Sequence, residues 1–316
     1  MAARRQSCCI VTSPGQVMRE PDVSIVLPTF NRLAFLRATV ESVFSQTMQN
    51  WELIVADDGS EEDTIDYLDL LESDERVRVL RLEHSGNPGR ARNAAIAAAR
   101  APYLAFLDSD DLWEPRKLDR QLAALRSERD CRWSYTAFTI VDGDGVPLAA
   151  EQNRKWTPHS GSIFPEVVRG LASIRTPAVL ACTRFVRDVG TFDEAIDCSE
   201  DYDLWMRLAL RSAACVVDEP LVCVRRHKDN RKTEVSRPYV ARDYSLRKLA
   251  RQLDGVQRVL VEQERSENSL ALAVETAALH SRRRALAVIG KSLTFSWKYP
   301  RWWYRAAKTI LRVCFQ

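Results

Sequence analysis

Apolar positions along this chain follow two rhythms. Val23-Ser-Ile-Val-Leu-Pro-Thr-Phe30, Trp51-Glu-Leu-Ile-Val-Ala56, Val77 to Leu82 and Ala101-Pro-Tyr-Leu-Ala-Phe-Leu107 are short, largely apolar runs that read as buried strands. Between the first two, Phe35, Leu36, Val40, Val43 and Phe44 recur at helical spacing, and an alanine-rich helix is expected from Arg90 to Arg100. Another helix is expected to start near Pro115. Pro28 cannot donate to a sheet ladder, so the first strand is expected to stop there. Strands that alternate with helices of this length predict βαβ units: an α/β fold with a mostly parallel, Rossmann-like sheet flanked by helices.

The loop behind each strand is polar and specific. The first run opens into Pro28-Thr29-Phe30-Asn31-Arg32, the second into Asp57-Asp58-Gly59-Ser60, the third into Ser85-Gly-Asn-Pro-Gly89 and the fourth into Asp108-Ser109-Asp110-Asp111. In open α/β sheets the carboxyl ends of the strands share one edge, where ligands bind. Carboxylates this close repel unless a cation or a set of donors satisfies them, and hard oxygen ligands of this kind suit Mg²⁺ or Mn²⁺ carrying a phosphorylated substrate. A solvated turn capping the next helix is the plainer alternative for the aspartate quartet.

The second half adds a further acidic turn. Val189-Gly-Thr-Phe-Asp-Glu194 precedes Ser199-Glu-Asp-Tyr-Asp-Leu-Trp-Met-Arg-Leu208, in which Leu204, Trp205 and Leu208 form a helical face. Glu200 and Asp201 at its start favour the helix dipole, with N-capping as the plain reading, and Asp203 is expected to face solvent. A strand-like Ala214 to Val224 then leads to Arg225-Arg226-His227. Of four histidines, His227 alone stands among polar residues beyond a strand end; His84 and His159 fall in loops and His280 in a C-terminal helix.

Taken together, the Pro28–Arg32 segment, Asp57-Asp58-Gly59-Ser60, Ala91-Arg92-Asn93 and Asp108-Ser109-Asp110-Asp111 resemble the nucleotide-sugar half of a family 2 glycosyltransferase, over about Asp22 to Arg226. The resemblance implies the GT-A fold, inverting transfer of a sugar from a nucleotide-diphosphate sugar, a UDP-sugar foremost, and Mg²⁺ or Mn²⁺. It implies that Asp110 reaches the metal and that Asp108 contacts ribose or sugar beside it, with Ser109 between them. Asp57, with Asp58, would hold the nucleotide base, and Arg92 would reach the nucleotide or its phosphates. Pro28, Thr29, Asn31 and Arg32 would line the nucleotide pocket. Glu200-Asp201 matches the family's Glu-Asp pair, with Asp201 as general base, and His227 matches a late histidine that completes the metal site in some relatives. Plainer roles stay open: an ion pair for Arg92, a cap at Gly59 for Asp58, a basic surface loop for His227.

The Gln-x-x-Arg-Trp motif of processive relatives is absent, so one addition per acceptor is expected. The acceptor would be a saccharide or lipid-linked saccharide of cell-surface polysaccharide or glycolipid synthesis, met by the variable segment Asp142 to Pro177, where Trp156 and Arg175 are candidates. A nucleotidyltransferase would also combine an α/β sheet with metal-binding aspartates, yet it would place a Gly-rich loop after the first strand, where Pro28-Thr-Phe-Asn-Arg32 stands. A basic nucleic-acid-binding protein is the other alternative, though no nucleic acid is expected beside an acidic catalytic half.

Charge divides the chain. Residues 226–316 hold 20 Lys and Arg against 8 Asp and Glu, whereas the chain as a whole is only +3. Past Lys291 there is no acid, and Arg301, Arg305, Lys308 and Arg312 step along one helical face while Trp303, Ala307, Ile310 and Cys314 lie on another. Such a helix fits an anionic membrane surface, expected over residues 291–316 with Trp302, Trp303 and Ile310 adding apolar burial, or else packs on its own enzyme. No run of 18 apolar residues forms a spanning helix. Eight scattered cysteines suggest neither a zinc site nor a disulfide framework, and the first twenty residues lack a signal-peptide core. The expected organisation is a flexible segment 1–21, a GT-A domain 22–226 and a basic helical extension 227–316, in the cytoplasm or on the inner face of the membrane.

Overall fold

The computed structural model describes residues 20–148, 156–228 and 235–315; the lead segment up to residue 19 and residues 149–155 of the expected acceptor segment lie outside them. Eight strands form one sheet: β1 Val23–Thr29, β2 Trp51–Asp57, β3 Val77–Arg81, β4 Tyr103–Phe106, β5 Leu112–Trp113, β6 Cys131–Asp142, β7 Val179–Cys182 and β8 Ala213–Arg226. Their order is β3-β2-β1-β4-β7-β6-β8-β5. β1 to β4 are mutually parallel, β7 runs against both β4 and β6, β8 is parallel to β6, and β5 is antiparallel to β8. Six strands therefore deliver their carboxyl ends to one edge. The reversed β7 begins at that edge, so the 3₁₀ turn Thr176–Ala178 before it joins the same cluster of loops.

Alternate side chains of each strand feed two cores. On one face Val23, Ile25, Leu27, Leu53 and Val55 pack with α1 (Leu33–Phe44), α2 (Glu62–Leu71) and α4 (Lys117–Ser127). On the other, Val26, Ile54, Ala56 and Phe106 pack with α3 (Pro88–Ala98), α5 (Phe164–Val168), α6 (Thr183–Val189) and α7 (Glu200–Arg211). Leu204, Trp205 and Leu208 of α7 are buried as their spacing predicts, and the Trp205 ring meets Phe106, Trp133 and Phe192 at centroid distances of 5.7, 6.3 and 6.3 Å.

Several boundaries differ from those the sequence predicts, each for a local reason. β1 continues through Pro28 to Thr29. Val26 accepts from Leu107 N on the β4 side, so Pro28, two residues on, points its missing donor where β4 has already ended at Phe106 and no ladder bond is lost. α3 starts at Pro88, two residues early, because Asn87 Oδ1 accepts from Gly89 N and Arg90 N at 2.9 and 3.3 Å and Pro88 suits the first helical position. Asp203 does not face solvent. It is 1% exposed and paired with Arg207 at 2.8 Å and Lys248 at 2.9 Å.

The C-terminal helices are α8 (Arg237–Ala250), α9 (Gly255–Leu279), α10 (Arg282–Ser296) and α11 (Pro300–Phe315). Leu246, Leu249, Ala250 and Val261 join the larger core of the sheet. Leu270, Ala273, Ala285, Ile289, Trp302, Ala306 and Val313 form a separate cluster that seats α11 on α9 and α10. Trp302 is thus only 2% exposed and packs inward rather than outward, while Trp303, Tyr304 and Leu311 are 51%, 65% and 58% exposed. Among the described residues no helix is long and apolar enough to cross a membrane.

Candidate active site

The aspartate quartet leaves β4 as a tight turn, in which Asp111 N donates to Asp108 O at 3.1 Å. Thr39 Oγ1 of α1 donates to the carbonyls of Ser109 and Asp111 at 3.1 and 2.9 Å, fixing the turn against the first helix. The four residues then diverge in role. Asp110 pairs with Arg32 and lies 3.2 Å from His227 Nε2. Asp108 turns the other way and accepts from Arg92 at 2.6 Å. Asp111 is buried and accepts from Arg225 N at 2.8 Å; burial first, then the charges of Asp110 and Asp108, holds its carboxyl well above the ordinary carboxylate range.

Strand pairing explains why a histidine 117 residues away meets this turn. β5 follows the quartet directly and pairs with β8 through Leu112↔Cys223, so the end of β8 arrives beside Asp110. His227 packs against Phe35 of α1 with centroids 4.0 Å apart and ring planes tilted by 31°, and the Arg225 guanidinium lies 5.5 Å from the same ring and donates to Asp110 O at 3.3 Å. Phe35 and Arg225 carry no sequence signal beyond a helical apolar position and a basic run. Their part in the site depends on a pairing between distant segments.

Arg92 joins the quartet to the second acidic turn. It is 5% exposed, donates to Asp108 on one side and to Glu200 Oε1 at 2.5 Å on the other, and lies 5.2 Å from the centre of the Phe192 ring. The two carboxylates outweigh the burial that opposes its charge, so it stays protonated. Asn93, next in the motif, ties α3 to the 192–194 turn by accepting from Phe192 N and donating to Phe192 O, both at 2.9 Å. Ser199 holds a left-handed backbone (φ 59°) that sets the entry of α7.

Asp201 differs from the other acids in what it faces. Its carboxylate accepts from Tyr202 N at 2.8 Å and from Thr176 Oγ1 at 2.9 Å, and it lines an open cavity of about 410 Å³ with Arg175, Tyr202, Trp205, Tyr239 and Arg242. Burial, then the neighbouring Glu200 charge, raises its pKa against the pull of Arg92 and these donors. Trp156, the other acceptor candidate, is instead held by Asp218 at 2.7 Å and packs on Tyr135 and Phe138.

The second strand's loop is laced to its neighbours. Asp57 caps the turn by accepting from Ser60 N at 3.2 Å, the part the sequence offered to Asp58. Asp58 holds the next loop, accepting from Ser85 N at 2.9 Å, Ser85 Oγ at 2.8 Å and Gly86 N at 2.8 Å. His84 Nδ1 is 2.8 Å from Asp58 O, and its ring stacks on the half-exposed Phe30 at 4.2 Å. Gly59 is required here: its φ is +83°, and a Cβ would meet His84 Cβ at 3.0 Å. Asn31, also left-handed, donates its N–H to Ser60 Oγ at 2.9 Å and accepts from Glu61 N at 2.6 Å. Thr29 is buried beside Pro28, and its hydroxyl finds no partner among the described residues.

As a donor set, Asp110 Oδ2 and His227 Nε2 lie in direct contact at 3.2 Å, while Asp108 is committed to Arg92. No cluster of three or more His, Cys, Asp or Glu side chains is assembled among the described residues. Two protein ligands suit a divalent cation whose other positions are filled by diphosphate oxygens and water, and the pair fits that role.

A mostly parallel sheet with its acidic loops gathered on one edge is the GT-A build. A crystal structure of Staphylococcus aureus TarS 1–349 in complex with UDP-GlcNAc shares it, at a TM-score of 0.63 and 19% identity over 92% of this chain and 81% of that one. Residues 24–156 match the family model described as Glycosyl transferase family 2, and this part of the chain belongs to that family. An uncharacterized glycosyltransferase of Rickettsia bellii is 32% identical over 215 residues, 68% of this chain and 30% of that protein. The UDP-Glc:alpha-D-GlcNAc-diphosphoundecaprenol beta-1,3-glucosyltransferase WfgD of Escherichia coli is 35% identical over 125 residues, 39% of this chain and 48% of that enzyme. Against both relatives the chain spans less than half of their length.

Proposed function

We propose that this protein transfers one sugar from a UDP-sugar to a hydroxyl of a saccharide or lipid-linked saccharide, inverting the anomeric centre, in cell-surface polysaccharide or glycolipid synthesis. The observation that carries the reading is the separation of roles among the acids. Asp110 and His227 lie in contact at 3.2 Å, Asp108 and Glu200 share the charge of one arginine, and Asp201 lines a cavity large enough for a sugar.

In this reading Asp201 takes the proton of the acceptor hydroxyl. Thr176 and Tyr202 N aim its carboxylate, and Glu200 positions Arg92 rather than exchanging protons. Asp110 and His227 would hold Mg²⁺ or Mn²⁺, which when bound neutralises the departing diphosphate. Asp57, the Phe30–His84 stack and the Asn31 loop would shape the nucleotide pocket, with Arg32 and Arg225 adding positive charge where phosphates would lie. The names of the relatives, one acting on a diphosphoundecaprenol-linked sugar and one solved with UDP-GlcNAc, support the donor and acceptor classes. The exposed Trp303, Tyr304 and Leu311 of α11, with the exposed Arg301, would rest on the inner leaflet of the cell membrane.

A panel of nucleotide sugars incubated with the protein and Mn²⁺ tests this by release of nucleoside diphosphate. One UDP-sugar is expected to be hydrolysed, and both chelation and Asp110→Ala are expected to abolish release. Full release in excess EDTA sinks the metal assignment. Release from no member of the panel sinks the donor class.

A further inference from the structure

A second concavity, of about 350 Å³, lies between α9 and α11. Arg305, Lys308 and Arg312 line one wall, at the spacing that puts them on a single stripe of α11, with Thr309 between them. The other wall is Leu270, Ala271 and Val274 of α9. Glu267 and Glu275 bring two acids against the three cations. Glu267 holds Arg305 at 2.5 Å, fixing one edge of the guanidinium and leaving its other donors for an oxyanion. Lys308 lies 4.5 Å from the centre of the Tyr304 ring.

Tyr239 lines this groove and also lines the cavity that holds Asp201. Its carbonyl accepts from Asn268 Nδ2 at 2.7 Å, which ties α8 to α9 at the junction. Tyr239 thus stands between a sugar-sized space that holds Asp201 and a groove with a cationic wall and an apolar wall. A phosphate ester with an apolar tail matches that pairing: oxyanions toward α11, hydrocarbon toward α9.

We propose that the α9/α11 groove holds the phosphate groups of the acceptor, whose sugar end reaches Asp201 past Tyr239. The proposal rests on the glycosyl-transfer reading for the role of Asp201, while phosphate binding in the groove is measurable without it. The probe is farnesyl diphosphate, titrated calorimetrically into the full chain, with farnesol as the uncharged control. Lys308→Gln/Arg312→Gln is expected to weaken farnesyl diphosphate binding by about tenfold or more, the loss of one or two charge-assisted contacts. Lys291→Gln/Arg301→Gln removes the same charge outside the groove and is expected to change it by less than about twofold, since dispersed surface charge is screened. Farnesol binding should match in all three proteins.

Equal losses in the two double variants, or none in the groove variant, overturn the proposal. Loss of adhesion to phosphatidylglycerol vesicles with farnesyl diphosphate binding intact also overturns it, because the groove then serves bilayer lipid rather than the acceptor. Nucleotide-sugar hydrolysis by the wild type is scored separately, so failure of the transfer reading cannot be mistaken for failure of the groove.

Discussion

The carboxyl of Asp201 is held up first by burial and then by Glu200, so its charged form is poorly solvated in the folded protein. A carboxyl whose folded pKa is raised contributes stability below its unfolded value, near 3.8, and loses it as pH rises through the folded value. Asp201→Asn should therefore melt higher than wild type at pH 7, with the gap closing below pH 4, in parallel thermal scans. The same variant should transfer sugar about 10²-fold more slowly or worse with donor affinity intact. A structural acid would show the opposite pairing, lower stability with the rate preserved. Lys117 gives a second residue-scale prediction. It is fully buried in the core beneath α4, with Nζ 4.0 Å from the Trp113 ring centre, and burial pulls its pKa well down. The unfolded chain binds that proton more readily, so the group costs stability below about pH 10 and ceases to do so above it. Lys117→Met should raise the melting temperature at pH 7 by about 2–4 °C or more, the shift that 1 kcal/mol gives in a large domain, and the gain should vanish near pH 11. Sequence could point to Asp201 through its neighbours in the chain; it could not foresee the burial of Asp203, whose partner Lys248 comes from a helix 45 residues on.

The parallel half of the sheet was legible because each strand is a short apolar run with a polar loop of recognisable chemistry behind it. The antiparallel half was not. β5 has two residues and β7 four, too few to show a period, and what makes them strands is pairing with distant segments. The carboxylates of the site were therefore readable while the aromatic and basic side chains that frame them, Phe35 and Arg225, were not. Elements also meet at Arg92, where α3, the β4 turn and α7 share one guanidinium. Arg92→Met leaves Asp108 and Glu200 buried or half-buried with no cation between them, and should cost about 3–5 kcal/mol by chemical denaturation. Adding Glu200→Gln to that variant should recover part of the loss. Equal midpoints for the single and double variants would mean that the clamp contributes little to stability.

Across the whole molecule, the basic extension is one body with the enzyme at α8 and the start of α9, and a separate packing unit at α10 and α11. Deleting residues 291–316 would uncover Leu270, Ala273, Ala285 and Ile289, so loss of vesicle binding by such a truncation would confound adhesion with unfolding. Trp303→Ser/Tyr304→Ser/Leu311→Ser keeps Trp302, Ala306 and Val313 and removes outward apolar area, together with the 2.8 Å hydrogen bond from Trp303 Nε1 to Trp297 O and the edge-on contact of Trp303 with Trp302. This triple variant should lose most co-sedimentation with phosphatidylglycerol vesicles while its melting temperature stays within about 2 °C, as expected of exposed positions. The wild type should bind less at high salt yet retain a remainder, because ions screen the cations and not the rings. Undiminished sedimentation of the triple variant would remove α11 from any membrane role.

The lacing of the loops that follow β1, β2 and β3 governs the exchange of their backbone protons. The amides of Asn31, Ser60, Glu61, Ser85 and Gly86 each donate to a side chain of their own or an adjacent loop, although all five lie outside helix and strand. Loop amides ordinarily trade with deuterium as fast as the segment opens. Here, opening any one loop requires breaking bonds held by another. These amides should exchange together and slowly in the protein alone, and Asp58→Ala should release Ser85 and Gly86 first. Loops already held by one another would lose little further conformational freedom of their own on taking up a ligand.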